Sequence, residues 1–108
     1  MTLTKEKESI LHEVDDKRNL ICHVADEIWN YSELSLQEYK SCDLYCKVLE
    51  AEGFKVEKGT AGIETAFTAS VGSGRPYIGL LAEYDALSGL SQKEGLTEKE
   101  ELIRGGNG

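Results

Sequence analysis

Two carboxylates, Glu83 and Asp85, stand at positions i and i+2 just after the uncharged run Tyr77-Ile78-Gly79-Leu80-Leu81-Ala82. Side chains two apart on an extended chain point to the same face, so both acids would project into one small volume. In open α/β sheets, ligands bind in the crevice beyond the carboxyl ends of strands. An apolar strand delivering acids at its C-terminal end is a way to build a polar site on a rigid element. The plainer alternative is that Glu83 and Asp85 are solvated residues at a loop entry, with Asp85 capping the next turn. The other candidate ligands are scattered. Cys42 and Cys46 are four apart on a predicted helix and share a face of it, but neither His12 nor His23 lies at a ligand spacing from them. They are expected to be small buried hydrophobes, and the two histidines ordinary helix-surface residues.

Composition sets the limits within which such a site must work. The chain has 108 residues, enough for one domain or less, and 40% apolar residues, enough for a modest core. A net charge of -8 disfavours nucleic acid or an anionic membrane surface as partner. No apolar run has the length of a membrane span, the charged N-terminus is unlike a signal peptide, and the three cysteines are odd in number with no CxxC pair. These features predict a soluble, cytoplasmic protein.

The elements that must position Glu83 and Asp85 read as an α/β pattern. Apolar residues at three- and four-residue spacing (Ile10, Leu11, Val14, Ile21, Val24, Ala25, Ile28) predict one long amphipathic helix over about residues 5–30, with Thr4 as N-cap and a lapse in the stripe at Lys17-Arg18. Ser35-Leu36-Gln37-Glu38 has the form of a capping box and predicts a second helix over about 35–52. Its buried face would carry Tyr39, Cys42, Tyr45, Cys46 and Leu49. Gly53 ends it at C′, with Phe54 free for a Schellman contact. Strands are expected at about 54–58, with Phe54 and Val56 inward, at about 65–71, with Thr65, Phe67, Ala69 and Val71 on one face, and at about 77–83. The last two are expected to pair across Gly72-Ser73-Gly74-Arg75-Pro76. The expected fold is two helices packed on a mixed sheet. The glycine-rich end Gly105-Gly106-Asn107-Gly108 is either frayed or a functional loop.

Four stretches resemble one family in order and spacing: Ser32-Glu33-Leu34-Ser35-Leu36-Gln37-Glu38, Leu49-Glu50-Ala51-Glu52-Gly53-Phe54-Lys55-Val56, Ala61-Gly62-Ile63-Glu64-Thr65-Ala66-Phe67 and Leu80-Leu81-Ala82-Glu83-Tyr84-Asp85-Ala86-Leu87. The family is the zinc-peptidase-like amidohydrolases, with aminoacylases and hippurate hydrolases among its members. The Glu-Tyr-Asp-Ala-Leu wording is nearest to its aminobenzoyl-glutamate hydrolase branch. This resemblance implies the beginning of a catalytic domain in a two-domain, homodimeric enzyme that uses a divalent metal, Zn or Mn, to hydrolyse a small-molecule N-acyl amino acid amide. Asp85 would stand beside the metal and orient a ligand. Glu83 occupies a position that is a histidine ligand in the peptidase branches, which leaves it near the site rather than on the metal. The ligands themselves would lie beyond Gly108, so the resemblance implies no metal bound by residues 1–108, no activity in them alone, and an uncovered apolar face through which they self-associate. Pro is frequent in the family where Ser32 and Ser88 stand here. A reading from another class is a small acidic interaction module without chemistry.

Overall fold

The computed structural model describes residues 3–108. Their order is α1 (Lys5–Asp16), α2 (Arg18–Tyr31), α3 (Tyr39–Ala51), β1 (Lys55–Lys58), a 3-10 turn (Thr60–Gly62) and β2 (Phe67–Ser70). Helices with a two-stranded antiparallel sheet make this an α/β arrangement, as the sequence pattern predicts. In layers, the β1–β2 hairpin lies against α3, and α3 lies against α2.

The single long helix expected over residues 5–30 is two. Thr4 caps α1 through its hydroxyl, which accepts from the Lys7 amide at 3.4 Å, and Glu6 and Glu8 in the first turn suit the positive end of the helix dipole. The helix stops at Asp16 and resumes at Arg18, where the apolar stripe lapses. No residue of α1 is buried, and Ile10, Leu11 and Val14 are exposed, whereas Val24 of α2 is buried. Packing therefore holds the second half and not the first. Lys17, between them, turns its ammonium to the Glu52 carboxylate at the end of α3. Ser32, in the left-handed region at φ 46°, closes α2, with its hydroxyl donating to the Trp29 carbonyl at 2.7 Å.

The second helix begins at Tyr39 rather than at Ser35, and the capping box does not form. Leu36 is left-handed at φ 65°, and the Gln37 amide bonds the Leu34 carbonyl at 2.9 Å, so residues 34–37 are a turn. The helix is capped from further upstream. Glu33 accepts from the Lys40 amide at 3.0 Å, the Ser41 amide at 2.9 Å and the Ser41 hydroxyl at 2.8 Å. A carboxylate taking first-turn amides does the work assigned to Ser35, with the added pull of the dipole. Starting one turn late leaves Tyr39 exposed, contrary to expectation, while Cys42 and Cys46 are buried as expected. At the other end Gly53 takes φ 89°, its amide bonds Glu50 O at 3.0 Å, and the Phe54 amide bonds Leu49 O at 2.9 Å. That is the double bond pattern of a Schellman turn.

The hairpin pairs Lys55 with Ser70, Val56 with Ala69, Glu57 with Thr68 and Lys58 with Phe67. Val56, Phe67 and Ala69 are half-buried and Thr65 is buried, so the alternation holds up to Ala69, whereas Val71, past the end of β2, is exposed. The expected third strand, about 77–83, is absent. Leu80 and Leu81 are 96% and 95% exposed, and the stretch Tyr77–Glu83 pairs with nothing. A strand is defined by its neighbour, and the expected partner β2 pairs only with β1. The total surface, 8999 Å² for 11.9 kDa, also exceeds the roughly 6,000 Å² of a closed monomer of that mass.

Candidate functional site

Beyond the apolar run the chain regains an ordered, alternating course. Tyr84 and Ala86 are half-buried, and Glu83, Asp85 and Leu87 are exposed. Period-two alternation puts the two acids on one face, as their i, i+2 spacing predicts, and that face is the outer one. A bridge from Leu34 to Ala86, in parallel, joins the segment to the stretch before α3. The Ala86 amide donates to Glu33 O at 2.7 Å. Glu33 thus serves twice: its carboxylate starts α3 and its carbonyl holds the residue next to Asp85.

Tyr84 anchors the pair. Its ring packs against Tyr45 of α3 and Phe67 of β2 at centroid distances of 5.6 and 6.2 Å, and Tyr45 and Phe67 are 6.0 Å apart. Three aromatics at such distances contribute somewhat beyond their buried area. The Tyr84 hydroxyl donates to the Thr65 carbonyl. Burial, reinforced by Cys42, pushes the phenol above its ordinary pKa, so it stays a donor. Beneath it the Cys42 and Cys46 sulfurs lie 3.9 Å apart. Burial, together with Cys42, pushes the Cys46 thiol up to about 11. Both thiols are buried in the core, the place the sequence predicts for them. One buried carboxylate oxygen, Oε2 of Glu38, finds no hydrogen-bond partner.

The glycine-rich segment is brought to the same place. The Leu87 amide bonds Gly108 O at 2.8 Å, and the Gly108 amide bonds Leu87 O at 3.0 Å. Gly108 is therefore paired two residues from Asp85, not frayed. Tyr84 and Glu33 are positioning residues that sequence reasoning passed over, while Gly108 was singled out only as part of a frayed end or functional loop. An aromatic set between two acids was the visible sign of the first, and nothing local signalled the second or the partner of Gly108.

Among the described residues no group of three or more His, Cys, Asp or Glu could hold a metal ion. Glu83 and Asp85 are two exposed acids without further ligands, so the residues present do not make a metal centre by themselves. His12 lies 3.3 Å from Asp16 on the exposed face of α1, Cys22 is exposed, and neither joins the Asp85 region. No helix among the described residues is long and apolar enough to cross a membrane.

No family model matches the chain, and no solved structure matches it. Among curated proteins it is similar to a subunit of the p-aminobenzoyl-glutamate hydrolase of Escherichia coli (strain K12), 39% identical over 95 residues. That match covers 88% of this chain and 20% of the relative, so the chain spans about a fifth of that protein's length. This likeness supports a place for the chain in the aminobenzoyl-glutamate hydrolase branch of the amidohydrolases.

Proposed function

We propose that residues 1–108 are the opening part of the catalytic domain of a metal-dependent amidohydrolase that cleaves the amide bond of an aminobenzoyl or other N-acyl amino acid, and that they do not turn over such a substrate alone. The observation that carries this is the 39% identity over 88% of the chain. The geometry supports it in two ways. Asp85 presents an exposed carboxylate on a segment anchored by Tyr84, and Gly108 is paired two residues away. In the complete enzyme, a cytoplasmic homodimer on this reading, the ligands for a Zn or Mn ion come from beyond Gly108.

The part this chain plays is orientation. A carboxylate fixed beside a ligand or a substrate donor accepts its hydrogen bond and holds its tautomer and direction. Asp85 is suited to that role because Tyr84 and Ala86 hold the backbone on either side of it while its own side chain remains free. Glu83 shares the face but is further from the Ala86 bridge, and it has the lesser role.

The test uses the complete protein that contains this chain. Release of aminobenzoate from p-aminobenzoyl-glutamate is measured together with metal content, for the wild type, Asp85→Asn and Glu83→Gln. Asp85→Asn is expected to lower turnover about 10–100-fold with an unchanged circular dichroism spectrum, and Glu83→Gln to do less. A complete wild-type protein that hydrolyses no N-acyl amino acid refutes the reading. Wild-type turnover in Asp85→Asn with loss in Glu83→Gln reverses the two roles. The isolated 108-residue chain, after dialysis, is expected to retain no stoichiometric transition metal, and one tightly held equivalent overturns that expectation.

A further inference from the structure

Residues 87–108 contain no helix or strand, yet they are stitched from end to end. Stretches of this length without secondary structure are uncommon in a compact domain and are either functional or linker segments. At the base, Leu87 and Gly108 exchange both backbone hydrogen bonds, at 2.8 and 3.0 Å. One step in, the Ser91 amide donates to Gly106 O at 3.0 Å, and the Ser91 hydroxyl accepts from the Ile103 amide at 3.0 Å. Ser91 is 4% exposed, among the most buried polar side chains described. Further out, the Lys93 amide bonds Glu100 O at 2.8 Å, and the Lys93 ammonium pairs with the Glu100 carboxylate.

Gly108 closes this loop at a distance only glycine permits. A Cβ there would stand 2.4 Å from Leu90 O and 2.9 Å from both Leu90 C and Ser91 Cα. Those are main-chain atoms, which cannot swing aside as a side-chain tip can. By contrast a Cβ on Gly79 would meet nothing within 4 Å.

We propose that Gly108 and Ser91 are positioning residues: they lock residues 87–108 into a closed loop, so that polypeptide continuing from Gly108 enters in register beside the exposed Asp85 carboxylate. The register matters because Leu87, Gly108's partner, is two residues from Asp85, and a displacement of about 1 Å at a reacting constellation can lower the rate about 100-fold. The inference rests on the amidohydrolase reading for its catalytic consequence, and on the loop geometry alone for the lock.

The experiment has two arms so that these separate. In the 108-residue chain, amide hydrogen exchange by NMR is expected to show protection at Leu87, Ser91 and Ile103. Gly108→Ala should abolish it at Leu87 and shift the Asp85 and Ala86 resonances. Ser91→Ala should weaken it at Ile103, and Gly79→Ala should leave all three sites unchanged. In the complete protein, Gly108→Ala is expected to lower kcat per folded enzyme about 100-fold with KM little changed and the circular dichroism spectrum and unfolding midpoint kept, which a general loss of fold would not leave intact. Protection at Leu87 that survives Gly108→Ala overturns the lock, whatever the complete protein hydrolyses. Loss of protection with wild-type kcat overturns the positioning role. An inactive wild-type enzyme sinks the amidohydrolase reading instead, and the exchange arm still decides the lock.

Discussion

The hydroxyl of Tyr84 donates to the main-chain carbonyl of Thr65, and this contact fixes which side of the segment Glu83 and Asp85 occupy. Thr65 is itself buried just before β2, so the bond ties the candidate site to the hairpin while the Tyr84 ring ties it to α3. Tyr84→Phe keeps the ring and leaves the Thr65 carbonyl without its donor. It should lower stability by about 1–2 kcal/mol, read as a drop in the urea midpoint at constant slope. An unchanged midpoint would mean that the bond does not anchor the segment.

Glu33 offers a test that depends on pH. Partial burial pushes its carboxyl pKa up, but the hydrogen bonds from Ser41 and Lys40 outweigh this and hold the group below the usual glutamate value. A carboxyl depressed in the folded state contributes stability above its unfolded pKa and loses it as pH falls through the folded one. Glu33→Gln should therefore destabilise the chain at neutral pH by about 1 kcal/mol, the usual worth of a cap. The gap from wild type should close as pH drops below the ordinary glutamate range. A gap that is constant from about pH 7 to about pH 3, a span that brackets the ordinary glutamate pKa, contradicts the cap.

The thiols divide by burial. Cys22 is exposed, whereas Cys42 and Cys46 are buried and the Cys46 thiol is pushed up to about 11. Because the thiolate is the reactive form, a disulfide reagent at about pH 8, near the ordinary thiol pKa, should modify one thiol quickly in the native chain and all three in denaturant. Two fast thiols in the native chain would show that the α3–hairpin core is open.

The bare Tyr77–Leu81 stretch predicts association. Apolar patches on this scale mark interaction surfaces, and Leu80 and Leu81 contribute nothing to the core. The double variant Leu80→Asn, Leu81→Asn should change unfolding free energy by less than about 0.5 kcal/mol. It should also shift the chain from associated to monomeric in light scattering and lower its binding of an apolar dye. A wild-type chain that is strictly monomeric and dye-silent would overturn this.

What the sequence determined by itself were the features carried by one residue and its near neighbours. Gly53 ends α3 in a Schellman turn because a left-handed residue is needed there and glycine takes it freely. Thr65, Phe67 and Ala69 face inward because a period of two leaves them no other side. That Glu83 and Asp85 share a face follows from the same alternation, whereas their exposure does not. Tertiary structure decided the rest. Ser35 and Glu38 have the capping pattern, yet the first-turn amides of α3 go to Glu33, because a charged carboxylate brought in by the turn at Leu36 takes them instead. Tyr77–Ala82 has the composition of a buried strand and is not one. Composition expresses a preference for burial, but a strand needs a neighbour with free amides and carbonyls, and β2 pairs only with β1. The meeting of Gly108 with Leu87 was equally hidden, because contacts between residues distant in sequence depend on the path of the loop, and the tight fit that demands glycine exists only once that loop has closed.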